Sequence, residues 1–296
     1  MKENLSVEAL RENGAGKTLP DEQLQLFHAG YEEERMIPVR SGAAHIYYYA
    51  PAKEGKFPLF INLHGGGFIK GHRDQDTVFC RNIVENSGYC VVDIDYHTAP
   101  EKKYPYALEE SFDVIKHIYA HPEDFHADLE KVVIAGHSAG GNLVAGIQLL
   151  AQREKAFQPS LLILDYPPLD FLTDPEDQRY ANAPDMRISV DTARKFNEWY
   201  IDPERIYEVT ASPVVATKAD LSGFPPTVMI FAERDSLTEA GIHFAAKLID
   251  AGVTVFAKRV KGTAHGFTIR RAEGFEIAEK IIFDALDQVK SGGLIK

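Results

Sequence analysis

Short apolar runs alternate with helical stretches along most of this chain, and that alternation restricts what it can fold into. The runs fall near Arg35–Val39, Ala44–Tyr49, Phe57–Leu63, Tyr89–Ile94, Val132–Ala135, Leu161–Leu164, Thr227–Ala232 and Thr254–Val260. Helical patterns near Asp76–Asn86, Ala107–Ala120, Asn142–Gln152, Glu239–Ala251 and Phe275–Val289 separate or follow them. Gly88 and Gly252 each follow a helical stretch, where a left-handed C-terminal cap is expected. Such alternation implies a mostly parallel sheet covered by helices on both faces. Sheets of this kind carry their sites at the C-terminal ends of the strands.

Two glycine-rich runs stand at such ends. His64-Gly65-Gly66-Gly67 follows the strand Phe57–Leu63, and Gly136-His137-Ser138-Ala139-Gly140 links the run at Val132 to the helix at Asn142. The second reads as a nucleophile elbow, a sharp strand-to-helix turn that exposes Ser138 Oγ. Its glycines let strand and helix backbones approach where a Cβ would clash. The first reads as an oxyanion loop whose N–H groups can face charge developing on a carbonyl. Together they propose acyl transfer from an ester through a covalent acyl-serine.

A serine nucleophile needs a histidine base, and that base needs a carboxylate to fix its tautomer. On such a sheet the chain order is Ser, then Asp or Glu, then His. Only His243 and His265 follow Ser138. His243 falls inside a helix, whereas His265 lies in the loop Gly262–Phe267 after the last strand, which makes it the expected base. Asp235, just after the strand Thr227–Ala232, is the expected acid, with Asp165 and Asp170 as alternatives after the preceding strand. No metal or organic cofactor is needed for this chemistry.

Two segments break the alternation. Residues 1–34 form an amphipathic leader, and residues 170–210 interrupt the sheet order with a helical stretch at Val190–Tyr200. Both are expected to cap the site, which divides the chain into an N-terminal cap (1–34), a catalytic core (35–169 and 211–296) and a second cap (170–210). Phe68, next to the first glycine run, and Phe171 and Trp199 in the second cap are the expected substrate-binding residues.

Composition narrows the partners. The 296 residues are 45% hydrophobic, ample for a core, and no apolar stretch is long enough to span a bilayer. A formal charge of −12 argues against nucleic acid and anionic membrane surfaces as partners. The polar N-terminus shows no secretion signal, and two cysteines, Cys80 and Cys90, fit buried thiols in a reducing, cytoplasmic setting. A small-molecule ester is the expected partner, and a monomer and a homodimer both stay open.

These residues also carry a resemblance. The HGGG run, Asp95-Tyr96 with Ala99-Pro100-Glu101, Gly136–Asn142, Ser212-Pro213, Asp235-Ser236-Leu237 and His265-Gly266-Phe267 together resemble the hormone-sensitive-lipase-like esterases of the α/β-hydrolase superfamily. The match runs in order from about residue 57 to residue 268. It implies an α/β-hydrolase fold with a mostly parallel eight-stranded sheet, a small helical cap, and carboxylesterase activity on short acyl esters. It further implies that Gly65, Gly66 and Ala139 donate the oxyanion N–H groups, and that His64 braces the loop. Two departures concern the substrate: His137 replaces the usual Asp before the nucleophile, and His97-Thr98 replaces an Arg-Leu pair. An amide, formamide or peptide hydrolase on the same triad, or a non-catalytic receptor on this fold, are the alternative readings.

Other features carry less. Gly14–Thr18 ends like a phosphate-binding loop but lacks the first glycine and a preceding strand. His117 and His121 stand four apart on a helix without an HExxH motif, so a solvated face is expected there rather than zinc. Glu32-Glu33-Glu34 reads as solvated surface, and the sequon at Asn4 as idle.

Overall fold

A computed structural model describes residues 6–12, 18–179 and 187–293. Eight strands form one sheet: β1 (Tyr31–Val39), β2 (Gly42–Ala50), β3 (Phe57–Leu63), β4 (Cys90–Asp95), β5 (Ala127–His137), β6 (Leu161–Asp165), β7 (Thr227–Arg234) and β8 (Val255–Ala264). Their order is β1-β2-β4-β3-β5-β6-β7-β8; β2 runs antiparallel to β1 and to β4, and every other pairing is parallel. The helices are α1 (Val7–Glu12), α2 (Asp21–Leu24), α3 (Asp74–Ser87), α4 (Tyr106–Ala120), α5 (Ala139–Glu154), α6 (Val190–Tyr200), α7 (Lys218–Leu221), α8 (Thr238–Asp250) and α9 (Phe275–Lys290).

Successive strand side chains point to opposite faces, and here both faces are buried. Leu59, Ile61, Val92 and Ile134 pack toward α4, α5 and α8, while Phe60, Val91, Val133 and Ile230 pack toward α3 and α9. That is why the central strands read as unbroken apolar runs. Gly88 caps α3 with φ +70° and its N–H on Val84 O at 2.9 Å, the left-handed stop expected from sequence.

Two boundaries differ from the sequence reading. The sheet begins at Tyr31, so the last four residues of the 1–34 leader belong to β1 rather than to a cap. An edge strand meets solvent, and charge there blocks further pairing, so a glutamate run hides a strand. Glu32 pairs with Arg81 at 2.7 Å, Glu34 lies 3.0 Å from His45, and Glu33 binds Arg35. Likewise β5 starts at Ala127, where Ala127 and Asp128 pair with Phe57 and Pro58 before a register shift. Among the described residues, no helix is long and apolar enough to cross a membrane.

The strand order sets the position of the site. From β4 the chain crosses back over β3 to lay down β5, so connections leave β3 and β5 in divergent directions. A crevice opens at the carboxyl ends of strands where the order reverses. The HGGG loop and Ser138 follow those two strands and face each other across it.

Candidate active site

The elbow at Ser138 is built by close approach. A Cβ on Gly136 would lie 2.3 Å from Gly140 C, and one on Gly140 only 1.9 Å from Leu63 O. No side chain fits at either position. Ser138 itself takes φ +52° and ψ −119°, a conformation that non-glycine residues rarely hold. Its N–H donates to Asp165 O at 2.8 Å, and its carbonyl accepts from Gly141 N–H at 2.8 Å. Such strain costs on the order of 1–3 kcal/mol and persists only where neighbours enforce it.

The fold brings Ser138, His265 and Asp235 into one hydrogen-bonded line. His265 Nε2 lies 2.9 Å from Ser138 Oγ, and its Nδ1 lies 2.7 Å from Asp235 Oδ2. Asp235 is 2% exposed, so its charge is directed at the ring rather than at water. Its Oδ1 accepts from Leu237 N–H at 3.2 Å, fixing the carboxylate. Across the crevice Gly65 packs on the elbow, where a Cβ would touch His137 O at 3.0 Å and Ser138 Cβ at 3.4 Å. The N–H groups of Gly65, Gly66 and Ala139 donate to no partner among the described residues.

The alternative acids are engaged elsewhere. Asp165 Oδ2 lies 2.9 Å from His137 Nδ1, and Asp170 caps its own loop by accepting from Leu172 and Thr173. His243 is exposed on α8.

A family model described as the α/β-hydrolase fold matches residues 60–269. The chain belongs to the α/β-hydrolase family, in its hormone-sensitive-lipase-like branch. It is 30% identical to the carboxylesterase NlhH of Mycobacterium tuberculosis over 253 residues, 84% of this chain and 76% of that one. It is also 30% identical over 245 residues to the ethyl acetate hydrolase of Pseudomonas putida, covering 80% and 74%. The solved esterase of Pyrobaculum calidifontis superposes with a TM-score of 0.86 at 29% identity, covering 97% of this chain and 94% of that one.

Within this α/β-hydrolase the two departures have local explanations. His137 turns away from Oγ, with its ring edge-on to Phe79 at 4.6 Å as well as bonded to Asp165. His97 Nδ1 lies 2.6 Å from Glu110 Oε1, and Thr98 Oγ1 accepts from Arg11 of α1 at 3.2 Å. Arg11 also donates to Ile69 O, Ala99 O and Glu101, so this segment ties the N-terminal helix to the HGGG loop. His64 stacks on Tyr96 at 4.2 Å, with Nδ1 2.9 Å from Gly65 O and Nε2 3.5 Å from Asp95. Burial pushes the Asp95 carboxyl up, but His64, His45 and the His72 N–H outweigh that and hold it well below the usual range.

A cavity of about 340 Å³ opens beside Ser138. Phe68 and Phe171 line it, with Phe68 stacked on Tyr200 at 3.5 Å. Trp199, expected there, does not: it packs on the core, and Phe196 and Asn197 from the same helix line the cavity instead. A helix turns 100° per residue, so a position chosen by residue type can fall on the wrong face. Lys70, Arg73, Arg187 and Arg270 also reach the cavity and were missed. Lys70 and Arg270 each stood three residues past a sequence signal, the HGGG run and His265-Gly266-Phe267.

Among the described residues, no group of three or more His, Cys, Asp or Glu could hold a metal. The rings of His117 and His121 lie 4.5 Å apart. Cys80 and Cys90 are buried free thiols. The Gly14–Lys17 run and Asn4 lie outside the described residues.

Proposed function

We propose that this chain is a serine carboxylesterase acting on small esters through an acyl-Ser138 intermediate. The observation that carries this reading is the line Asp235–His265–Ser138 at 2.7 and 2.9 Å, set against the amides of the HGGG loop. Similarity to the carboxylesterase NlhH and to the ethyl acetate hydrolase supports the same chemistry. His265 takes the proton from Ser138 as Oγ attacks the ester carbonyl, and Gly65, Gly66 and Ala139 donate to the oxyanion. His265 then protonates the departing alcohol and activates water for deacylation, while Asp235 holds its ring.

Segments 1–30 and 170–210 serve as caps in this reading. Leu10 of α1 and Ile188, Thr192 and Phe196 of the second segment line the cavity, which supports a role in excluding water. Two buried free thiols support a reducing, cytoplasmic setting.

A fluorophosphonate should label Ser138, and p-nitrophenyl butyrate should be hydrolysed by the native chain and not by Ser138→Ala. Adduct formation on another serine, or activity surviving in Ser138→Ala, would overturn the acyl-serine mechanism. Faster turnover of the matching p-nitroanilide would make the protein an amidase.

A further inference from the structure

Four cationic side chains reach the reaction cavity. Lys70 and Arg73 come from the β3–α3 loop, Arg187 from the segment before α6, and Arg270 from the turn after β8. Among the described residues no Asp or Glu lines that cavity, although acids outnumber bases 44 to 32 in the chain. Arg73 has a neighbouring acid, Asp76, at 3.6 Å. Lys70, Arg187 and Arg270 have none among the described residues, and Arg270 spends one N–H on His265 O. Lys70 is anchored to the oxyanion loop itself, its N–H donating to Gly66 O at 3.1 Å.

Like charges in a part-buried cavity repel, and an anion that joins them lowers that cost. Burial and the neighbouring cations act on both groups in the same direction. Burial, then Arg73, Arg270 and Arg187, push Lys70 down to about 8. Burial, then Arg187, push Arg270 down to about 10. Gln75, buried at the same wall, has an amide oxygen with no partner among the described residues; turned over, that amide offers N–H donors.

We infer that the ester preferred by this site carries a second, ionised carboxyl group, received by Lys70, Arg187 and Arg270 while Ser138 attacks the ester carbonyl. A lysine supplies a point charge and an arginine a planar fork, a combination suited to a carboxylate. A neutral ester would leave half-buried Lys70 and Arg270 without an anionic partner among the described residues, whereas Arg187 is exposed. The inference rests on the esterase reading above and narrows its substrate class.

Two matched pairs test it. 4-Acetoxybenzoate against methyl 4-acetoxybenzoate places the charge on the departing alcohol; monomethyl adipate against methyl hexanoate places it on the acyl group. The native protein should favour the charged member of at least one pair by about tenfold or more in kcat/KM, mainly through KM. That ratio should fall toward one in the Lys70→Met/Arg270→Met double variant, whose folding is checked by fluorophosphonate labelling. Should the variant not fold, about 0.5 M KCl must shrink the native ratio by screening. Hydrolysis of the neutral esters with no charge preference, or a ratio unchanged by both variant and salt, overturns this inference and leaves the esterase reading standing. Inertness toward all four esters and toward the fluorophosphonate overturns both.

Discussion

Asp235 and Asp165 are both buried carboxylates bonded to a histidine, at 2.7 and 2.9 Å, yet only one of those histidines touches Ser138. Asp235→Asn should therefore lower kcat by about three to four orders of magnitude with little change in folding, because the amide favours the wrong His265 tautomer. Asp165→Asn should lower the thermal midpoint instead, leaving kcat per titrated active site within about tenfold, since it breaks a buried contact beside the elbow. Active-site titration with a fluorophosphonate separates the two effects. A collapse of kcat in Asp165→Asn alone would mean the acid is misassigned. Each of the three residues that meet was marked in the sequence, Ser138 by its glycines and the other two by strand ends. The cavity cations were not marked, because tertiary packing alone brings Arg187 and Arg270 to the cavity that Ser138 lines.

At the scale of elements, the central strands were legible because burial on both faces makes them short apolar blocks. Polar ends were not: β1 gains Tyr31–Glu34 from pairing with Tyr47–Ala50, a long-range contact that propensity does not register. Helix α6 was legible to the residue, from Val190 to Tyr200, but the face it presents was not. Phe196 rests against Gly67, where a Cβ would lie 2.7 Å from its ring, so this side chain covers part of the HGGG loop at the cavity. The native preference should be for acyl chains of roughly two to six carbons, and Phe196→Ala should move the optimum to longer chains. Each extra buried methylene can contribute about 0.8 kcal/mol, so two more carbons would raise kcat/KM by roughly tenfold. p-Nitrophenyl esters of graded length supply the measurement. An unchanged optimum in Phe196→Ala, or a native optimum at ten or twelve carbons, would show that α6 does not set the depth.

Across the whole molecule, an acidic chain of formal charge −12 encloses a cavity whose described walls carry only positive charge. At physiological ionic strength the screening length is about 8 Å, so the distant surface acids count for little and the lining cations dominate what a bound ester feels. Those cations do not hold their charge equally. The groups facing Lys70 are the guanidiniums of Arg73, Arg187 and Arg270, and with burial they push its ammonium down to about 8. A lowered lysine is charged below that value and neutral above it, whereas Arg270, down to about 10, keeps its proton for two further pH units. A carboxylate substrate with a pKa of about 4 stays ionised throughout. The kcat/KM ratio of 4-acetoxybenzoate to its methyl ester, or of the adipate pair, should be level from pH 6 to 7 and fall between about pH 7.5 and 9. It should stop short of one, because the arginines remain charged. Taking the ratio cancels any effect of pH that acts on both members alike. In Lys70→Met the ratio should be smaller and level through pH 8. A native ratio that stays level or rises from pH 7 to 9 would remove Lys70 from the recognition of charge.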